Sequence, residues 1–168
     1  MRGKRTVTLT IDKVRTLSSL VPSSGRAEST VAYLVGMVAL LRLKEVAQLE
    51  LSDIAVDRSG SFMVVTVQRS KTDQAGTGQK VYVGCTSWTP SSIKEREDPW
   101  CALHRLLRYL QRDRRSSCGI RLFAVSYKQL SSDIKDLVTT VLGDDYPAEE
   151  IGKRTSHEYE EDWCVFIG

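Results

Sequence analysis

Between Val31 and Leu49 apolar side chains return every three or four positions, at Val31, Leu34, Val35, Val38, Leu41, Val46 and Leu49. From Phe62 to Ser70 the pattern changes to Phe-Met-Val-Val-Thr-Val-Gln-Arg-Ser. This switch of period constrains the fold more than any other feature of the chain. The first period predicts one apolar stripe on a long helix that begins near Ser29 or Thr30. The second predicts a mostly buried strand, paired with another over Lys80–Gly84 through a glycine-containing loop, Thr72–Gln79. A helical layer against one short hairpin implies an α+β fold, mainly helical, with a small antiparallel β-sheet.

The remaining punctuation fits that frame. Thr10 is placed to cap a short helix whose apolar positions are Ile11, Val14 and Leu17,. Pro22–Gly25 reads as a loop. Asp98 and Pro99 open a further helix through Leu103, Leu106, Leu107 and Leu110,. Ile120–Val125 is expected as a third short strand. Ser126 then caps a helix carrying Leu130, Ile134, Leu137, Val138 and Val141, stopped by Gly143,. No internal repeat or interdomain linker is evident.

At 168 residues, 41% hydrophobic and 27% charged, the chain has the size and balance of one globular domain with a real core,. No apolar run reaches the roughly 18 residues that cross a bilayer. The basic start, Met1-Arg2-Gly3-Lys4-Arg5, leads into polar sequence rather than a signal-peptide core, so an intracellular protein is expected: nuclear if eukaryotic, cytoplasmic if bacterial,. Cys85, Cys101, Cys118 and Cys164 form no C-x-x-C pair, and no His stands at zinc-finger spacing; reduced thiols are expected,.

A net charge of +3 says little about partners, but its distribution is uneven. Arg105, Arg108, Arg112, Arg114, Arg115, Arg121 and Lys128 face a single nearby acid, Asp113, whereas Asp144–Asp162 is strongly acidic. The first block suits a phosphate backbone or a solvated helix face; the second repels phosphate. Arg42 falls on or beside the apolar stripe. It is read either as a structural ion pair with Glu45 or Asp53, or as a guanidinium fork for phosphate oxygens. Lys71 ends a strand and enters the hairpin loop. It is read either as a solvated lysine or as a proton donor to a leaving oxygen.

Taken in order, these segments resemble one family. The run Arg42-x-x-Glu45-Val46-x-x-Leu49-x-x-x-Asp53-Ile54 is similar to the first arginine motif of the tyrosine recombinase (phage integrase) catalytic domain. The strand ending Ser70-Lys71-Thr72-Asp73-Gln74 is similar to its lysine hairpin. Leu9–Leu17 resembles the helix that opens that domain, and Asp98-Pro99-x-Cys101-Ala102-Leu103 the helix after the sheet. Thr155-Ser156-His157 resembles the start of the His-x-x-Arg motif.

The resemblance implies a partial recombinase catalytic domain over residues 1–157 and an unrelated acidic tail over 158–168. In intact relatives a Tyr attacks the scissile phosphate and forms a 3′-phosphotyrosine link. Two Arg and a His stabilise the phosphoryl charge, a Lys protonates the leaving 5′-oxygen, and no metal or cofactor takes part. Carried over, Arg42 is the first phosphate-binding Arg, Lys71 the general acid and His157 the first member of the second motif. Arg69, Arg105, Arg112, Arg114 and Arg115 are the DNA-contacting candidates, and double-stranded DNA is the partner. Homo-oligomers on DNA are implied for intact relatives.

The pattern departs at specific places. Glu160 stands where the second Arg belongs, and a reversed charge there opposes transition-state stabilisation,. Tyr159 comes too early to be the nucleophile, and Tyr109, Tyr127 and Tyr146 precede the motif. Leu40 occupies the position where the family has a helix-breaking Gly, so a continuous helix that aims Arg42 differently is expected. The expected function is therefore a DNA-binding fragment or relic of a tyrosine recombinase, inactive alone. The alternative is a non-catalytic DNA-binding or protein-interaction domain.

Overall fold

In the computed structural model, which describes residues 10–68, 78–87, 100–112 and 121–143, helix α2 (Ala27–Val38) is the element around which the others pack. Every residue from Ser29 to Met37 is buried, as befits a helix that is apolar nearly all round. Helices α1 (Ile11–Ser19), α3 (Leu43–Gln48), α4 (Ala102–Arg112) and α5 (Tyr127–Leu142) all contact it. Two of the hydroxyls buried on α2 reach neighbouring elements: Ser29 Oγ donates to Asp133 Oδ2 at 2.6 Å, and Thr30 Oγ1 donates to the Leu20 carbonyl at 2.9 Å. These bonds tie α2 to α5 and to the end of α1 and pair both of those buried donors,.

The sheet has three antiparallel strands in the order β1 (Ile54–Val56), β2 (Phe62–Val67), β3 (Gln79–Gly84). Along β2 the alternate residues Met63, Val65 and Val67 are buried against the helices while Phe62, Val64 and Thr66 are half-exposed, the pattern of a sheet with one covered face. Pairing runs from Phe62↔Gly84 to Val67↔Gln79, so the connecting loop leaves β2 just past Val67. The β1–β2 turn is closed by the Asp57 carboxylate, which accepts the Ser59 N–H at 2.9 Å, and by Gly60 at φ +71°,. The α+β class, mainly helical with a small antiparallel sheet, is that expected from the sequence.

Of the expected helix starts, Thr10 and Ser126 hold, while Asp98 and Pro99 lie outside the described residues. Thr10 Oγ1 accepts the Lys13 N–H at 3.4 Å and Ser126 Oγ accepts the Gln129 N–H at 3.2 Å. Two expectations do not hold. The stripe from Val31 to Leu49 is two helices, α2 and α3, and not one. The strand expected over 120–125 is not formed by its described residues, 121–125: Arg121 makes one isolated bridge to Glu50, and Leu122, Phe123 and Val125 are buried as an irregular segment. Among the described residues no helix is long and apolar enough to cross a membrane.

The helix break has a definite chemistry. The Leu41 N–H donates to the Gly36 carbonyl at 2.8 Å and the Leu40 N–H to the Met37 carbonyl at 3.3 Å, with Leu40 at φ +54°. This is a Schellman ending with leucine in the left-handed position that glycine usually fills. The chain then folds α3 back onto α2 at Gly36, where an added Cβ would stand 2.6 Å from Val46 Cγ2. Burial of Leu41, Leu43 and Val46 rewards the turn, so tertiary packing overrides the local preference of Leu40 for right-handed backbone.

Candidate functional site

Because α2 stops at Leu40, Arg42 sits at the N-cap of α3 in extended backbone, φ −69° and ψ 149°. The Glu45 carboxylate reaches back and accepts the Arg42 backbone N–H at 2.7 Å, satisfying one of the donors that a helix start leaves open. Asp53 is committed elsewhere: Oδ2 accepts the Glu50 N–H at 2.9 Å and Oδ1 accepts from Gln68 Nε2 at 2.7 Å. The expected ion pair of Arg42 with Glu45 or Asp53 is therefore not formed. Arg42 is half-buried as a residue and, among the described residues, no carboxylate lies within ion-pair distance of its guanidinium.

Arg42 lines an open groove of about 440 Å³ between the helix break and the sheet. Ala39, Leu40 and Leu41 form one wall, and Lys80, Val81 and the largely exposed Tyr82 form the other. Val67 and Gln79, the last pair of the β2–β3 hairpin, also line it. The groove thus carries two cations, Arg42 and Lys80, against one carboxylate already bonded to backbone. An anion entering it meets the Arg42 guanidinium, which has no carboxylate partner among the described residues,.

Lys71 follows Val67 by four positions in the chain, but Lys71 and Arg69 lie outside the described residues, as do Arg114, Arg115 and His157. Of the basic block, Arg105, Arg108 and Arg112 follow one another on α4 at helical spacing,. Arg108 and Arg112 are exposed and Arg105 is half-buried, its Nε without a hydrogen-bond partner among the described residues. Burial and the neighbouring charge of Arg112 both weaken the hold of Arg105 on its proton,. Arg121 has a structural task instead: its Nη1 donates to the Ala47 carbonyl at 3.0 Å, in the last turn of α3. The structure groups Arg42 with Lys80 along one groove, which the α4 arginines do not line among the described residues.

A second cluster was not foreseen. Cys85, just past the end of β3, meets Cys101 and His104 at the start of α4, with Sγ to Sγ at 3.9 Å and Cys85 Sγ to His104 Nδ1 at 3.7 Å. Cys101 is fully buried. Burial alone would push its thiol up, but hydrogen bonds from His104 and Thr86 outweigh that and hold it at about 7,. The C-x-x-H run at 101–104 was visible in the sequence, whereas its approach to Cys85 depends on the fold.

No protein-family model matches the chain and no curated protein matches it.

Proposed function

We propose that this domain binds duplex DNA through the phosphate backbone, as a relative of the tyrosine recombinase catalytic domain that does not cleave DNA by itself. The observation that carries this reading is the placement of Arg42. A guanidinium on a half-buried residue, with no carboxylate beside it among the described residues, is placed to take an anionic partner,. Arg42 is held in that condition beside Lys80, at the hairpin end from which the chain proceeds to Lys71. The residues that resemble the family's arginine motif are those that build the break: Glu45 fixes the N-cap, and Val46 and Leu49 bury the helix that presents it.

In this reading Arg42 grips non-bridging phosphate oxygens, Lys80 and Lys71 add cations along the same strand, and Arg69, Arg105, Arg112, Arg114 and Arg115 extend the contact. Glu160, in the place of the second Arg, opposes phosphoryl-transfer chemistry, so binding is what remains. The test is fluorescence anisotropy with duplex DNA over a range of salt. Affinity falls as salt rises, and Arg42→Ala weakens binding equally on unrelated sequences while reducing the salt slope by about one. Absence of binding at low salt, or an Arg42→Ala variant that binds like the parent, refutes the reading. A stable protein–DNA adduct on nicked duplex refutes its non-catalytic part.

A further inference from the structure

We propose that Cys85, Cys101 and His104 form a Zn²⁺ site that fastens the end of β3 to the start of α4. The inference stands on the geometry and does not depend on the DNA-binding reading.

The three donor atoms already lie within 4.8 Å of one another. Tetrahedral zinc with Zn–S of about 2.3 Å and Zn–N of about 2.0–2.1 Å holds two sulfurs about 3.8 Å apart and a sulfur and a nitrogen about 3.6 Å apart. The structure has 3.9 Å between the sulfurs and 3.7 Å between Cys85 Sγ and His104 Nδ1. The same 3.9 Å is too long for a disulfide, which requires about 2.05 Å. Two of the three donor pairs thus stand at the separations that a tetrahedral metal requires,.

The surroundings suit a bound cation. Cys101 lies at the start of α4, its carbonyl accepting the Arg105 N–H at 3.0 Å. The backbone N–H groups of His104 and Thr86 stand near its sulfur. Donors of this kind favour a thiolate and orient it, as supporting groups do in metal sites. Two thiolates and a neutral imidazole carry two negative charges, which Zn²⁺ balances where Cys101 has no access to solvent,. Soft sulfur with imidazole selects zinc over magnesium or calcium. The half-exposed flank at Cys85 and His104 leaves room for water as fourth ligand. A histidine three residues after a cysteine on the first turn of a helix gives two ligands from one element, and Cys85 supplies the third from the sheet. A metal here therefore links two elements separated by 16 positions in the chain.

The experiment uses the full chain, reduced and stripped of metal, titrated with Co²⁺ and then with Zn²⁺. One equivalent of Co²⁺ should bind with a thiolate-to-metal charge-transfer band of two-thiolate intensity and visible bands of tetrahedral strength. Zn²⁺ should displace it and raise the melting temperature. Cys85→Ser, Cys101→Ser and His104→Ala should each lower Zn²⁺ affinity by more than the roughly 10–100-fold that loss of a supporting hydrogen bond costs. Cys118→Ser with Cys164→Ser and His157→Ala should leave it unchanged. His104→Cys serves where Cys101→Ser fails to fold: it should retain one metal and add a third thiolate to the band. Absence of a charge-transfer band overturns the site. So does binding that survives Cys85→Ser and Cys101→Ser, or that disappears with Cys118, Cys164 and His157.

Discussion

Leu40 offers a direct test of the helix break that aims Arg42. Its φ of +54° lies in left-handed backbone, which costs an L-residue roughly 1–2 kcal/mol,. Its side chain is 75% exposed, so truncation removes little burial. Leu40→Ala loses that small contact and keeps the strain; Leu40→Gly loses the same contact and relieves the strain. Glycine gives back about 0.5–1 kcal/mol through the greater freedom of its unfolded chain. The glycine variant should therefore be more stable than the alanine variant by about 0.5–1 kcal/mol. Were residues 31–49 one continuous helix, the order would reverse, because glycine inside a helix is about 1 kcal/mol worse than alanine. Urea unfolding of the two variants at equal m-value separates the cases by the order of their midpoints. A glycine variant less stable than the alanine variant by about 1 kcal/mol refutes the break, and with it the position given to Arg42.

Other expectations follow from packing and from a buried carboxylate. Gly36→Ala should destabilise by about 1–3 kcal/mol, since the new methyl meets Val46 Cγ2 at 2.6 Å,. Adding Val46→Ala should restore part of that loss relative to Val46→Ala alone, and strict additivity in calorimetry would count against the contact. Asp133→Ala should cost about 1–3 kcal/mol by leaving the buried Ser29 hydroxyl without its acceptor,. Burial alone would raise the Asp133 carboxyl, yet hydrogen bonds from Ser29, Gln129 and Ser24 and the charge of Arg26 leave it below its usual value. A lowered folded value means that its stabilisation is complete above the unfolded carboxylate value of about 3.9 and is lost as pH falls through the folded one. Asp133→Asn should flatten that part of the acid limb; parallel losses in parent and variant would show that Asp133 does not contribute.

Features set by local chemistry were legible in the sequence. The caps at Thr10 and Ser126, the stop at Gly143 and the paired strands around Val65 and Val81 rest on side chains close in the chain,. The break at Leu40 was not legible, for a physical reason. No Gly or Pro marks it, and α2 and α3 both turn apolar faces inward, so the three- and four-residue rhythm passes through the turn undisturbed,. Strand β1 has three residues of which only Ile54 is half-buried, and it exists by pairing with β2,. Conversely, Leu122, Phe123 and Val125 read as a strand because they are apolar, but they are buried by helices rather than by a ladder. The sequence pointed to Arg42 as a site residue, while its freedom from Glu45 and Asp53 required the fold. Cys85 and Cys101 came together only through the topology of β3 and α4.

How much of the basic surface touches DNA is decided by a slope rather than by an affinity. Each phosphate neutralised contributes about −0.9 to the dependence of log K on log salt. Contact through Arg42 and Lys80 alone predicts a slope near −1.8; adding Arg105, Arg108 and Arg112 predicts about −4.5. The net charge of +3 sets neither value, because the acids of the chain are concentrated elsewhere in the sequence. Replacing Arg108 and Arg112 by Gln separates the two surfaces. Both side chains are exposed, so the fold should tolerate the change,. If α4 lies on the duplex, the slope should fall by about two units while Arg42→Ala still removes about one. A slope near −1.8 that Arg108→Gln and Arg112→Gln leave unchanged confines the contact to the groove at the helix break. A slope that survives Arg42→Ala and Lys80→Ala removes that groove from the interface and refutes the assignment of Arg42.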